Sequence, residues 1–201
     1  TRPVKRLFPI LLVSVTSACM TPGPAGYETH EQATAEIVAR LETGDTRGAA
    51  ELFDQYGDWR NRPDALTPNL YEAADALYRG GAARTAADAL DILAARHPES
   101  RAIHEARVSA LLVARSQIER SPELTERLKR SIDELREVGY SQPGWHDLAE
   151  AQARIDAGDI AGARRSFETF RGAWTGFPEE LSSYVRDIER YLDTHSSTAG
   201  R

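Results

Sequence analysis

Three times in 201 residues a glycine is followed by a small residue five positions on and by a bulky apolar residue nine positions on: Gly44, Ala49 and Phe53; Gly81, Ala86 and Leu90; Gly158, Ala163 and Phe167. An isolated amphipathic helix has no reason to repeat that spacing. Glycine supplies the left-handed backbone turn that ends one helix, and the residues after it restart the next. The small residue then sits where two helices cross and lets their backbones approach. The chain is therefore expected to fold as a series of helix pairs. Strands are not expected, because no alternating apolar pattern stands clear of the helical one.

The fullest copy is Thr67 to Ser100. It carries Leu70, Ala73, Ala74 and Leu77 in its first helix, Gly81 at the turn, Ala86, Leu90 and Leu93 in its second helix, and Pro98 at the end. This segment resembles a tetratricopeptide repeat (TPR), a helix-turn-helix unit of about 34 residues. Arg101 to Gly139 reads as a further pair, with Ile103, Val108, Leu111 and Leu112 before a turn near Ser121-Pro122 and Leu124, Leu128, Ile132, Leu135 and Val138 after it. That pair lacks the glycine and alanine signature. Pro178, Glu179 and Glu180 make a helix start. The stripe Leu181, Tyr184, Val185, Ile188, Tyr191 and Leu192 then supplies a helix to cover the apolar end of the array. The resemblance covers residues 30–177. It implies an all-α, right-handed α-solenoid of about four TPR-like helix pairs plus a C-terminal capping helix. The repeat domain is expected over 30–195, with a disordered tail at 196–201.

At the other end, Arg2, Lys5 and Arg6 precede the apolar run Leu7 to Val13 and the small residues Ser14 to Ala18. This is the order of a secretory signal peptide, and the apolar run is too short to span a bilayer. Val15-Thr16-Ser17-Ala18-Cys19 resembles the bacterial lipobox, with Thr16 where leucine is usual. That resemblance implies cleavage after residue 18, lipidation of Cys19 and anchoring in a membrane, the outer one by the absence of aspartate after the cysteine. Residues 19–29, rich in Thr, Pro and Gly, then read as a flexible tether.

Composition narrows the function classes. The chain carries 25 basic and 31 acidic residues, and 22 against 31 once Arg2, Lys5 and Arg6 are removed, so a nucleic-acid partner is not expected. One cysteine permits neither an internal disulfide nor a thiolate zinc site. The five histidines, His30, His97, His104, His146 and His195, show no one-turn spacing of the kind that pairs metal ligands, so no metal and no cofactor is expected. No nucleophile elbow or phosphate loop is present, and Glu99-Ser100 after Pro98 reads as a helix cap. No catalytic residues and no small-molecule substrate are expected.

What remains is a surface. In TPR proteins the first helices of successive units line a concave groove. Carried onto this chain, that geometry places Tyr71, Asp75, Tyr78 and Arg79 from one unit on the inner face, Glu105, Ser109 and Leu112 from the next, and Trp145, Leu148 and Gln152 from the last. Tyrosine, tryptophan and arginine are common anchors of protein interfaces. They equally serve as packing between units, and for Tyr71 and Trp145 both roles stay open. The reading is a membrane-anchored envelope lipoprotein that holds a protein or peptide partner. The alternative is a peptidoglycan-associated regulator or accessory of a cell-wall enzyme.

Overall fold

The computed structural model describes residues 29–59, 66–117, 121–140, 144–173 and 182–196. Among them are nine helices and no strand: α1 (His30–Glu42), α2 (Thr46–Trp59), α3 (Thr67–Arg79), α4 (Ala83–Arg96), α5 (Arg101–Gln117), α6 (Pro122–Glu137), α7 (Trp145–Asp156), α8 (Ile160–Ala173) and α9 (Ser182–Ser196). The fold is all-α. The expected leader, Cys19, Pro178-Glu179-Glu180 and the chain beyond 196 lie outside the described residues. None of the described helices is long and apolar enough to cross a membrane.

The repeated glycines do what their spacing requires. Gly44, Gly81 and Gly158 have φ of 82°, 86° and 77°. At each one the helix closes with the same pair of bonds. Gly44 N–H donates to Leu41 O at 3.0 Å and Asp45 N–H to Arg40 O at 2.8 Å; Gly81 to Tyr78 O at 3.1 Å and Ala82 to Leu77 O at 2.9 Å; Gly158 to Ile155 O at 3.0 Å and Asp159 to Arg154 O at 2.9 Å. This is the Schellman closure, which satisfies carbonyls that a helix end would otherwise leave unpaired.

The residue that completes each closure also starts the next helix. Asp45 O accepts from Ala49 N–H at 3.0 Å and Asp159 O from Ala163 N–H at 2.8 Å, while Ala82 O accepts from Ala86 N–H at 3.0 Å. The two aspartates add a side-chain cap, accepting from Gly48 N–H at 2.9 Å and Gly162 N–H at 2.8 Å. Gly48 and Gly162 extend the repeat in a way that the glycine-alanine spacing alone did not reveal. A Cβ on either would lie within 2.2 Å and 1.9 Å of the capping carboxylate.

With so short a turn, the residue five places after the glycine must face the partner helix. Ala49, Ala86 and Ala163 are each 0% exposed, and Phe53, Leu90 and Phe167 are buried one turn later. The α5–α6 pair is built differently: Ser121 caps α6 by accepting from Leu124 N–H at 3.3 Å, and Pro122 occupies the first turn. Gly139, φ 84°, then ends α6 with the same closure, Tyr140 N–H donating to Leu135 O at 3.3 Å.

Each of α3 to α8 packs against the next helix in the chain. Longer contacts join α1 to α3 and α4, α2 to α4, and α5 to α7. One continuous apolar core runs from Ala33 in α1 to Leu192 in α9. The last helix packs on α8 and buries Val185, Ile188 and Leu192, with Tyr184 half-buried and Tyr191 exposed. Arg164 ties α8 to α9, its Nη2 donating to Leu192 O at 2.6 Å.

Replacing Ala163 with leucine is expected to destabilise the fold by about 1–3 kcal/mol, the usual cost of overpacking a close contact. Arg165→Ala, on the exposed side of the same helix, is the control and should change stability by less than about 0.5 kcal/mol. Urea denaturation of the two variants checks the register. Equal midpoints would refute it.

Candidate functional site

Three concavities compete for a functional role, and their polar groups separate them. The largest, about 830 Å³, lies among α5, α6, α7 and α9. At its floor Asp156 accepts from Arg115 Nε at 2.9 Å and Nη2 at 2.5 Å, from Thr125 Oγ1 at 2.5 Å and from Gln152 Nε2 at 2.9 Å. The Tyr184 hydroxyl donates to Gln152 Oε1, and burial pushes that phenol's pKa far above its ordinary value, so it stays neutral. The carboxylate is fully saturated. These groups join four helices and leave little for a ligand.

The second, about 810 Å³, lies beside α4 and α6. Arg127 there donates to Asp88 and to Asp91, both at 2.7 Å, and Arg107 reaches Asp91 at 3.6 Å and pairs with Glu134. Burial raises the Asp88 pKa even with the Arg127 guanidinium opposing. Here too the charges hold helices together.

The third concavity is a pair of adjoining hollows between α3 and α5, of about 180 Å³ and 260 Å³, which share Tyr71, Ala106 and Ser109. They exist because the facing residues are unequal in size. The α3 side carries Tyr71 and Tyr78, whereas the α5 side carries Ala102, Ala106, Ser109 and Ala110. Leu90 from α4 lines the smaller hollow. The larger hollow is bounded by Leu135 of α6, by Tyr140 and by His146 at the start of α7.

This is where the expected groove residues divide. Tyr71, Asp75, Tyr78, Glu105 and Ser109 are brought together around the two hollows. Arg79 stands outside them, its side chain 77% exposed and paired with Asp75 at 2.5 Å. Leu112 and Leu148 are 0% exposed and belong to the core, which corrects their placement on a groove. The reason is enclosure: α5 packs against α4, α6 and α7, and the helical stripe that begins half-exposed at Glu105 ends buried at Leu112. Gln152 is likewise buried and bound to Asp156. Trp145 begins α7, and its side chain lies outside the described residues.

Tyr140 and His146 complete the site and were missed in the sequence. A signal for Tyr140 was present. Gly139 puts the next residue at the position that packs back on the helix it closes, and Tyr140 and Leu135 line the same hollow. His146 packs edge-to-face against Tyr140, with centroids 5.0 Å apart. Its Nε2 lies 3.4 Å from Asp147 Oδ2, which also accepts from Gly144 N–H at 2.8 Å. That carboxylate favours the ring proton on Nε2, leaving Nδ1 an acceptor, and Nδ1 is buried with no hydrogen-bond partner. Across the opening, Arg101 Nε pairs with Glu105 Oε1 at 2.5 Å, and its guanidinium sits 4.6 Å from the Tyr140 ring centroid. Among the described residues no group of histidine, cysteine and carboxylate side chains is arranged to hold a metal ion.

Burial lowers the His146 pKa, with the Asp147 carboxylate opposing. An unfolded histidine titrates near about 6.5, so below that pH the unfolded chain binds the proton more readily than the folded one. This residue's contribution to stability is therefore complete above about pH 6.5 and is lost as pH falls toward its lower folded value. The slope of unfolding free energy against pH between about 6.5 and 5 should flatten in His146→Gln. Parallel slopes in the two proteins would contradict this account of the buried ring.

Compared with known proteins, the chain matches no family model, no curated protein and no solved structure.

Proposed function

We propose that this chain is a lipid-anchored envelope protein that acts by binding rather than catalysis, presenting a TPR-type solenoid groove to a segment of a partner protein. The observation that carries the reading is the pair of adjoining hollows centred on Tyr71, which is 36% exposed and shared by both. Aromatic side chains that are partly exposed beside a preformed hollow are the usual anchors of an interface. The polar groups of the two larger clefts, in contrast, are mostly bound to one another.

The right-handed tetratricopeptide architecture rests on the repeated turn and on helix pairs that contact their successors. The anchor rests on the leader pattern and on Cys19, the only cysteine in the chain. The outer membrane, facing the periplasm, is the proposed location. A peptidoglycan-associated regulator is the second reading, favoured by the three tyrosines, Tyr71, Tyr78 and Tyr140, whose rings could face sugars.

The test is affinity capture from cross-linked envelopes with wild type, Tyr71→Ala and Ser109→Leu. The first removes the shared anchor and the second fills the shared floor. Each is expected to weaken capture of a protein partner tenfold or more, roughly 1.4 kcal/mol or greater, with helical content unchanged. Arg47→Ala, exposed on α2, serves as control and should leave capture intact. Equal loss in the control would remove the groove from the account. Retention of purified glycan in preference to any protein would favour the second reading.

The anchor is checked separately. Cys19→Ala is expected to abolish acylation and release the chain from detergent-dependent fractionation. A variant that still gains the mass of acyl chains would refute the lipobox.

A further inference from the structure

The ionised side chains lining the two hollows are carboxylates, Asp75 in one and Glu105 in the other, and the arginine paired with each lies outside the lining. The larger hollow adds the His146 ring, which packs edge-to-face on Tyr140 with centroids 5.0 Å apart. The linings therefore combine carboxylates with aromatic rings, and the cations that reach them, Arg79 and Arg101, come from outside the hollows. The chain's own Arg101 already shows which chemistry such a surface takes. Its guanidinium bridges the Glu105 carboxylate at 2.5 Å and the Tyr140 ring at 4.6 Å from the centroid. That arginine is an exposed i,i+4 partner, its side chain 48% exposed. Such pairs are weak, so it is readily displaced.

We propose that the groove reads a partner segment carrying a lysine or arginine next to an apolar side chain. The cation sits against Glu105 and the Tyr140 ring, and the apolar group sits in the smaller hollow against Ala74, Leu90 and Ala110. Arg101 holds the cationic position until the partner arrives. The inference rests on the binding reading above and adds the charge and order of what is bound.

The test is a phage-displayed library of random dodecapeptides panned on the full-length chain, followed by fluorescence-anisotropy titration of the enriched peptides. Peptides from wild type should carry a basic residue adjacent to an apolar one. Binding should weaken tenfold or more in Glu105→Gln, and should tighten in Arg101→Ala by roughly two- to fivefold, the release of one weak exposed pair. Affinity should also fall with added salt. Circular dichroism confirms that each variant is folded; Glu105→Gln changes charge at almost constant shape.

The outcomes separate the two readings. Enriched peptides that need Tyr71 but are neutral or acidic overturn the basic-segment inference and leave the groove standing. Peptides that bind Tyr71→Ala as well as wild type overturn the groove itself. A library that yields no binder overturns both.

Discussion

Three of the helix pairs depend on a turn in which one residue both closes a helix and opens the next. At Asp45, Ala82 and Asp159 the backbone N–H completes the preceding helix and the carbonyl accepts the first bond of the following one. The glycine before each, with φ between 77° and 86°, is the only residue type that adopts this conformation without steric cost. Because so little chain intervenes, the crossing of the two helices is set locally. Small residues must then occupy the crossing, and Ala49, Ala86 and Ala163 have no exposed surface.

Charge completes what the turns begin. The chain is acidic, yet its carboxylates pair with largely covered arginines of helices that are distant in sequence. Arg127 of α6 meets Asp88 and Asp91 of α4, and Arg115 of α5 meets Asp156 of α7. Removing one member of a buried pair typically costs about 3–5 kcal/mol, because the survivor is left uncompensated. The pairs beside the α3–α5 hollows are of the other kind, exposed and one helical turn apart, and such contacts contribute about 0–1 kcal/mol. That contrast explains why the two large clefts read as structural and the smaller hollows as available. A partner that displaces Arg101 gives up little of the fold's stability.

The hollows themselves are a consequence of side-chain size. α4 packs closely on both α3 and α5. Above it, the tyrosines of α3 face alanines and a serine on α5, so space remains between two helices that α4 holds apart. Tyr140 and His146 then close the far side from beyond the next helix pair. A site of this kind needs residues from α3, α5, α6 and α7 and cannot be seen in any single repeat.

The sequence by itself determined the helices and their turns, because these rest on bonds between residues a few positions apart: the glycine, its following aspartate, the alanine five places on, and Ser121-Pro122 at the start of α6. It also put Tyr71, Asp75, Tyr78, Glu105 and Ser109 on helix faces that spacing alone can assign, and these five line the hollows. Only the tertiary structure decided that Leu112, Leu148 and Gln152 are enclosed, and that Arg164 ties α8 to α9. It likewise brought Tyr140 and His146 to Tyr71, from 69 and 75 positions along the chain. Helical periodicity reports which side of one helix a residue occupies. Whether that side meets water depends on how many other helices pack over it, and no local spacing carries that information.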